Sequence, residues 1–250
     1  RGEPAGGAPR SLMRVHHETG LVGLSRRKYW MDRILVGKGD QQVHLLAKYG
    51  NRHGLIAGAT GTGKTISLMV LAEGFSRLGV PVFIADVKGD VAGLAMAGVA
   101  SEKLQQRAAQ IGIEAYANEA SPVVFWDVFG AGGHRVRTTV SEIGPSLLAR
   151  ILELNDTQSG TLEIAFKLAD DQGLLLLDLD DLRALLTFVA EERKEISKVY
   201  GLVSSPSVAA IQRALLGLER EGGGALFGEP ALELTDLMRT ELSGRGIVNI

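Results

Sequence analysis

Eight residues constrain this chain more than any others: Gly58-Ala-Thr-Gly-Thr-Gly-Lys-Thr65. A glycine, four residues and then Gly-Lys-Thr is a spacing that lets successive backbone N–H groups converge on one anion. Glycines at 61 and 63 allow the tight turn and the close backbone approach that this requires. The apolar run from Ile66 predicts a helix over 63–78, ended by Gly79. The positive end of that helix then faces the same anion. The binding set is Ala59, Thr60, Gly61, Thr62, Gly63, Lys64, Thr65 and Ile66, with the amides of 60–65 around a β-phosphate. Lys64 reaches the β- and γ-phosphate oxygens, and the Thr65 hydroxyl holds magnesium. The pattern implies a nucleoside triphosphate, read as ATP, with Mg2+.

The flanks suit this reading. Residues 54–58 form a short apolar run, expected to be a buried strand, and Val80 to Ala85 form a second with no polar alternation, as in a parallel sheet. Strand, helix and strand make a βαβ unit. The helix is apolar nearly all round (Ile66, Leu68, Met69, Val70, Leu71, Phe75) and is expected to be covered on most sides. Residues 123–126 predict a third strand. Upstream, 33–36 and 43–47 flank Gly37-Lys-Gly-Asp40 and predict a hairpin. From 141 to 221 helical periodicity takes over: Leu182, Leu185, Leu186 and Val189 mark one face, Val208, Ile211, Leu215 and Leu218 another. Ser205 is the expected cap of the second helix, with Pro206 in its first turn and Gly222 beyond its end. The expected organisation is a basic tail at 1–30, a P-loop α/β core with a parallel sheet at 31–140, an α-helical insertion at 141–221, and a return to the core at 222–250.

Phosphate chemistry calls for an acidic residue at the end of another strand. Asp86 follows Val82-Phe-Ile-Ala, on the side of the sheet where ligands bind, and is a candidate for catalysis and for indirect metal contact. The alternative is a turn residue before Lys88-Gly-Asp90. Asp178 follows an equally apolar run, but with Asp181 it reads as a helix cap. Asp86-Val-Lys-Gly89 and Asp90-Val-Ala-Gly93 match DxxG, yet the [NT]KxD string that reads guanine is absent from the chain. The five histidines show no metal-ligand spacing. Arg135 and Arg137 alternate around Val136 as on an exposed strand face.

Composition narrows the class. With no cysteine, disulfides and thiolate metal sites are excluded, which suits a reducing, cytoplasmic setting. No apolar run is long enough for a membrane span. The net charge of −2 gives no global basic field for nucleic acid. Residues 1–30 hold six Lys or Arg against two acidic residues and read as a flexible tail; its string Ser25-Arg-Arg-Lys-Tyr-Trp30 is a solvated segment on that reading. The remainder holds 21 basic against 27 acidic residues. The chain opens on Arg1 and closes on an apolar run after Gly-Arg-Gly, so it reads as a piece of a longer protein.

NRHGLIAGATGTGKT followed by GVPVFIADVKGD resembles the HerA/FtsK branch of P-loop ATPases, and in particular its YjgR-type HerA-like group. SPVVFWDVFG, SEIGPSLLARILELNDTQSG, DDQGLLLLDLDDLRAL and SVAAIQRALLGLEREGG extend the likeness in order from about residue 33 to residue 250. The resemblance implies a RecA-like core, ATP hydrolysis and assembly into a ring, often a hexamer, in a branch whose relatives pump or unwind DNA. It implies that the acidic Walker B strand and its following glutamate lie downstream of Ile250. It gives no N-terminal barrel like that of HerA itself. Arg52, just before the P-loop strand, is a candidate for the arginine that one ring subunit offers its neighbour's γ-phosphate. Two other classes remain open: a small-molecule kinase with the helices as a lid, and an ATP-dependent switch without turnover.

Overall fold

The computed structural model describes residues 33–250. It is a mixed α/β structure with a small parallel sheet and several helices, as expected. The predicted hairpin is present: β1 (Arg33–Lys38) pairs antiparallel with β2 (Gln42–Leu46), with an irregularity between Leu35 and Gly37. It lies against α1 (Lys64–Arg77), where a Cβ on Gly74 would meet Ile34 Cγ2 at 2.5 Å. Only glycine lets the two approach this closely.

The sheet has the order β3 (Val82–Phe83), β7 (Val248–Asn249), β4 (Val123–Val124), all parallel. Val82 and Val123 both face Val248 in register, and Phe83 and Val124 both face Asn249. The middle strand is therefore the last in sequence, reached only after the helical segment. Its ladder continues past the named strands, since Ile84 N donates to Asn249 O at 2.8 Å and Trp126 N to Ile250 O at 2.8 Å. Asn249 is fully buried and uses its whole amide. Its Oδ1 accepts from Trp126 Nε1 at 2.9 Å, and its Nδ2 donates to Val82 O at 3.2 Å and Leu237 O at 3.0 Å. Ala72, Ile84, Val91, Leu94 and Val248 form the small core between α1 and the sheet. A two-residue pair, β5 (Trp126–Asp127) with β6 (His134–Arg135), is set beside it. Helix α2 (Glu102–Ile111) precedes β4.

Helices then dominate: α3 (Val140–Ile151), α4 (Asp156–Gln172), α5 (Leu179–Glu191), α6 (Arg193–Tyr200), α7 (Ser205–Arg220) and the short α8 (Gly223–Leu226). They share a larger core with Leu148, Leu162, Leu182, Leu186, Ile211 and Leu215 at its centre. Both predicted faces point into it. Side chains start the longer helices: Thr139 with Glu142, Asn155 with Gln158 and Asp178 with Asp181 each form a reciprocal capping box. Asp178 is thus a helix cap, as read. Gly144 (φ 70°, ψ 168°) and Pro145 break α3 into two segments.

Five expectations need correction. Residues 54–58 are neither strand nor buried, and Leu55 is 90% exposed. A strand exists only in a ladder, and among the described residues none pairs with this segment. For the same reason α1 is not covered on most sides: Ala72 and Ser76 are its buried residues, and Ile66 is 62% exposed. The 80–85 run enters the sheet only at Val82–Phe83, because β7 covers one edge of it and leaves Phe83 62% exposed. The expected third strand is split, since the ladder of Val123–Val124 with β7 passes to β5 at Trp126. The cap of α7 is Ser204, whose hydroxyl accepts from Ser207 N, which puts Ser205 and Pro206 inside the first turn. Residues 1–30, read as a tail, lie outside the described residues.

Replacing Asn249 with leucine removes the acceptor of the Trp126 indole N–H and the side-chain donor to the Val82 and Leu237 carbonyls. The expected loss is about 2–4 kcal/mol of unfolding free energy. Urea unfolding measures it; stability equal to wild type contradicts a sheet locked at this position.

Candidate phosphate-binding site

The loop 58–65 has the shape its glycines predict. Gly61 and Gly63 adopt φ of 81° and 91°, a region that side chains other than glycine's rarely enter. Space is open within 4 Å of where their Cβ atoms would lie. Gly63 is the N-cap of α1, and no side chain caps that end. The first-turn amides of α1 are therefore left without a side-chain cap, the arrangement that binds phosphate. Lys64 Nζ donates to Ala59 O at 2.7 Å, and Thr62 Oγ1 donates to the same carbonyl at 2.8 Å. Gly58 serves in a different way from 61 and 63: a Cβ there would lie 2.5 Å from Thr62 Oγ1, so its absence leaves room for the Thr62 hydroxyl where it stands. Thr60 is exposed, Thr65 half-buried, and Ile66 points its side chain largely to solvent.

Asp86 stands at the carboxyl end of β3, and its carboxylate is engaged on both oxygens. Oδ1 accepts from Lys88 N at 3.2 Å, Gly89 N at 2.9 Å and Asp90 N at 3.3 Å; Oδ2 accepts from Val91 N at 3.0 Å. The Val91 amide foremost, with the other three, holds its pKa below the ordinary 3.8, against a smaller opposing effect of burial. A carboxylate stabilised in this way is a weak base. The geometry serves the turn reading of Asp86. The turn is itself well placed: Val91 and Leu94 pack with Ala72 and Met69 of α1, so the loop lies alongside the P-loop helix.

Asp127 builds the same device at the end of β5. It accepts from Phe129 N (3.1 Å), Ala131 N (2.7 Å) and Gly132 N (2.9 Å). The Gly132 amide first, then Phe129 and Ala131, lower its pKa as well. Asp86-Val-Lys-Gly89 and Asp127-Val-Phe-Gly130 share the string Asp-Val-x-Gly, and Gly89 (φ 76°) and Gly130 (φ 69°) both close their turns in the left-handed region. The recurrence of that string after two apolar runs is the sequence signal for these structural turns. Asn249 carried no comparable signal, because its partners are distant in sequence.

The other candidates stand apart. Arg52 is exposed in a turn whose backbone N–H bonds Tyr49 O. Arg135 is exposed and donates to Phe129 O, whereas Arg137 is half-buried and donates to Glu229 O, so only Arg135 fits the exposed face expected of both. Among the described residues no group of His, Asp or Glu is arranged to hold a metal, and no helix is long and apolar enough to cross a membrane. A cavity of about 680 Å3 lies between β1 and the second half of α1, away from residues 58–65. At its rim Arg77 pairs with Glu73 at 2.6 Å and Glu119 at 3.5 Å.

A family model described as Helicase HerA-like C-terminal matches residues 31–250. No curated protein matches the chain.

The Asp86 turn has a pH signature. A depressed folded pKa means that its stabilisation is complete above the unfolded value and is lost as pH falls through the folded one. The amide resonances of residues 88–91 are expected to titrate with a midpoint below 3.8, and to lose that titration in Asp86→Asn. A midpoint at or above 3.8 contradicts the four-amide arrangement.

Proposed function

The chain belongs to the HerA-like helicase C-terminal family, and we propose from that membership and the P-loop that it binds ATP with magnesium and hydrolyses it. In its intact form it is a ring-forming motor that acts on DNA. The single observation that carries the nucleotide assignment is the loop 58–65, with two left-handed glycines, an uncapped helix start and Lys64 turned toward it. The residues present fit the group: the amides at the uncapped start of α1 and the Lys64 ammonium supply positive charge on an exposed loop. The Thr65 hydroxyl would hold Mg2+, which when bound neutralises charge developing on the β- and γ-oxygens.

Lys64 orients the terminal phosphates. Asp86 acts through its turn, by holding the loop beside α1, rather than by touching the metal. Arg52, exposed just ahead of the P-loop, is the residue offered to a neighbouring subunit. We take 141–221 as an insertion into the core, the chain as YjgR-type on the ordered segments quoted above, and its setting as cytoplasmic. Residues 31–250 carry more acid than base, so DNA affinity is weak, rests on local basic groups and falls steeply with salt.

Lys64→Ala removes a charge-assisted contact in a half-buried site, with an expected loss of about 2–4 kcal/mol in ATP affinity. A titration with a fluorescent ATP analogue and Mg2+ measures it, and equal affinity in wild type and variant overturns the assignment. The motor reading is tested by light scattering with ATP and Mg2+, and by phosphate release with and without duplex DNA at low salt. Assembly and stimulation by DNA are expected. A monomer whose turnover ignores DNA but needs a small acceptor is a kinase instead.

A further inference from the structure

Thr62 occupies one of the unspecified positions of the P-loop pattern, yet its hydroxyl makes one of the two shortest hydrogen bonds inside the loop. We propose that Thr62 is a positioning residue for Lys64, acting through the Ala59 carbonyl that the two side chains share. The inference rests on the ATP-binding reading and adds to it a residue that the motif does not specify.

A carbonyl oxygen has two lone pairs. At Ala59 one takes the Thr62 hydroxyl at 2.8 Å and the other the Lys64 ammonium at 2.7 Å. The Thr62 backbone N–H also reaches this oxygen, at a longer 3.4 Å. With one lone pair held by the hydroxyl, the lysine head has one defined place at the other. An ammonium has three N–H donors. One is spent on Ala59, which leaves two for phosphate oxygens over the loop. Without the hydroxyl only the longer Thr62 N–H contact remains beside the lysine at the Ala59 oxygen, and the long lysine chain loses the firm fixed point that orders it. Ordering Lys64 before ligand arrives lowers the entropy cost of binding, which is how preorganisation raises affinity.

Gly58 makes the arrangement possible. The Thr62 side chain fills the space that a Cβ at 58 would take, 2.5 Å from its Oγ1 and 3.6 Å from Lys64 Cγ. The φ of Gly58 is not in the left-handed region, so room for Thr62 explains this glycine where backbone strain does not.

Valine is isosteric with threonine and lacks the hydroxyl; serine keeps it. Binding of a fluorescent ATP analogue with Mg2+ is measured for wild type, Thr62→Val and Thr62→Ser, with thermal melting of each. Thr62→Val is expected to bind about threefold to tenfold more weakly, the scale of one lost hydrogen bond, and Thr62→Ser to stay within about twofold of wild type. All three should melt alike, since the loop is exposed. Equal binding by wild type and Thr62→Val overturns the inference. So does an equal loss in both variants, which makes shape rather than the hydroxyl the cause. If wild type itself does not bind, the ATP-binding reading falls and the inference with it; if wild type binds and Thr62→Val binds as well, only the role of Thr62 falls.

Discussion

Strand β7 is the element on which the sheet depends, because β3 and β4 pair with it and not with each other. Each outer strand contributes two residues to the ladder, too few to stand alone. What makes so short a sheet specific is the fully buried Asn249, which ties the carbonyls of Val82 and Leu237 and the Trp126 indole to one side chain. An unpaired amide there would be costly, so register is set by polar satisfaction as much as by apolar burial. The turns at Asp86 and Asp127 extend from this sheet, one at the end of β3 and one where the β4 ladder passes to β5, and each is closed by a carboxylate that gathers successive amides.

The candidate site follows from that frame. The Asp86 turn beyond β3 lies alongside α1, the helix that begins at the P-loop. There the P-loop presents amides to solvent with no side-chain cap and carries its cation on an internal carbonyl. Little here is apolar; the site is backbone dipoles and one ammonium, which is why a change of a single hydroxyl or glycine has consequences that burial alone does not reveal.

The parts of the molecule that local chemistry determines were legible in the sequence. The P-loop, the hairpin around Gly37-Lys-Gly-Asp40 and the helical faces through Leu182, Leu186, Ile211 and Leu215 rest on spacing and periodicity within a few residues. Asp178 was recognisable as a cap because its partner Asp181 is three residues away. What depended on distant partners was not legible. Residues 54–58 have strand composition but no ladder partner among the described residues, and the apolar girdle of α1 stays partly exposed for the same reason. The role of Asn249 is invisible in its neighbours, since it acts across 123 residues to Trp126 and 167 to Val82. Asp86 was ambiguous between ligand and turn because a strand-ending aspartate serves both, and the four amides on its carboxylate favour the turn.

We propose that the amides of residues 60–65 hold the phosphates of a nucleoside triphosphate. Residue-resolved amide hydrogen exchange with saturating ATP and Mg2+, set against the same concentration of AMP, tests it most directly. Strong protection at residues 60–65 with ATP, and little with AMP, is the predicted result. Binding of ATP without protection of this loop, or equal protection by AMP, contradicts the account.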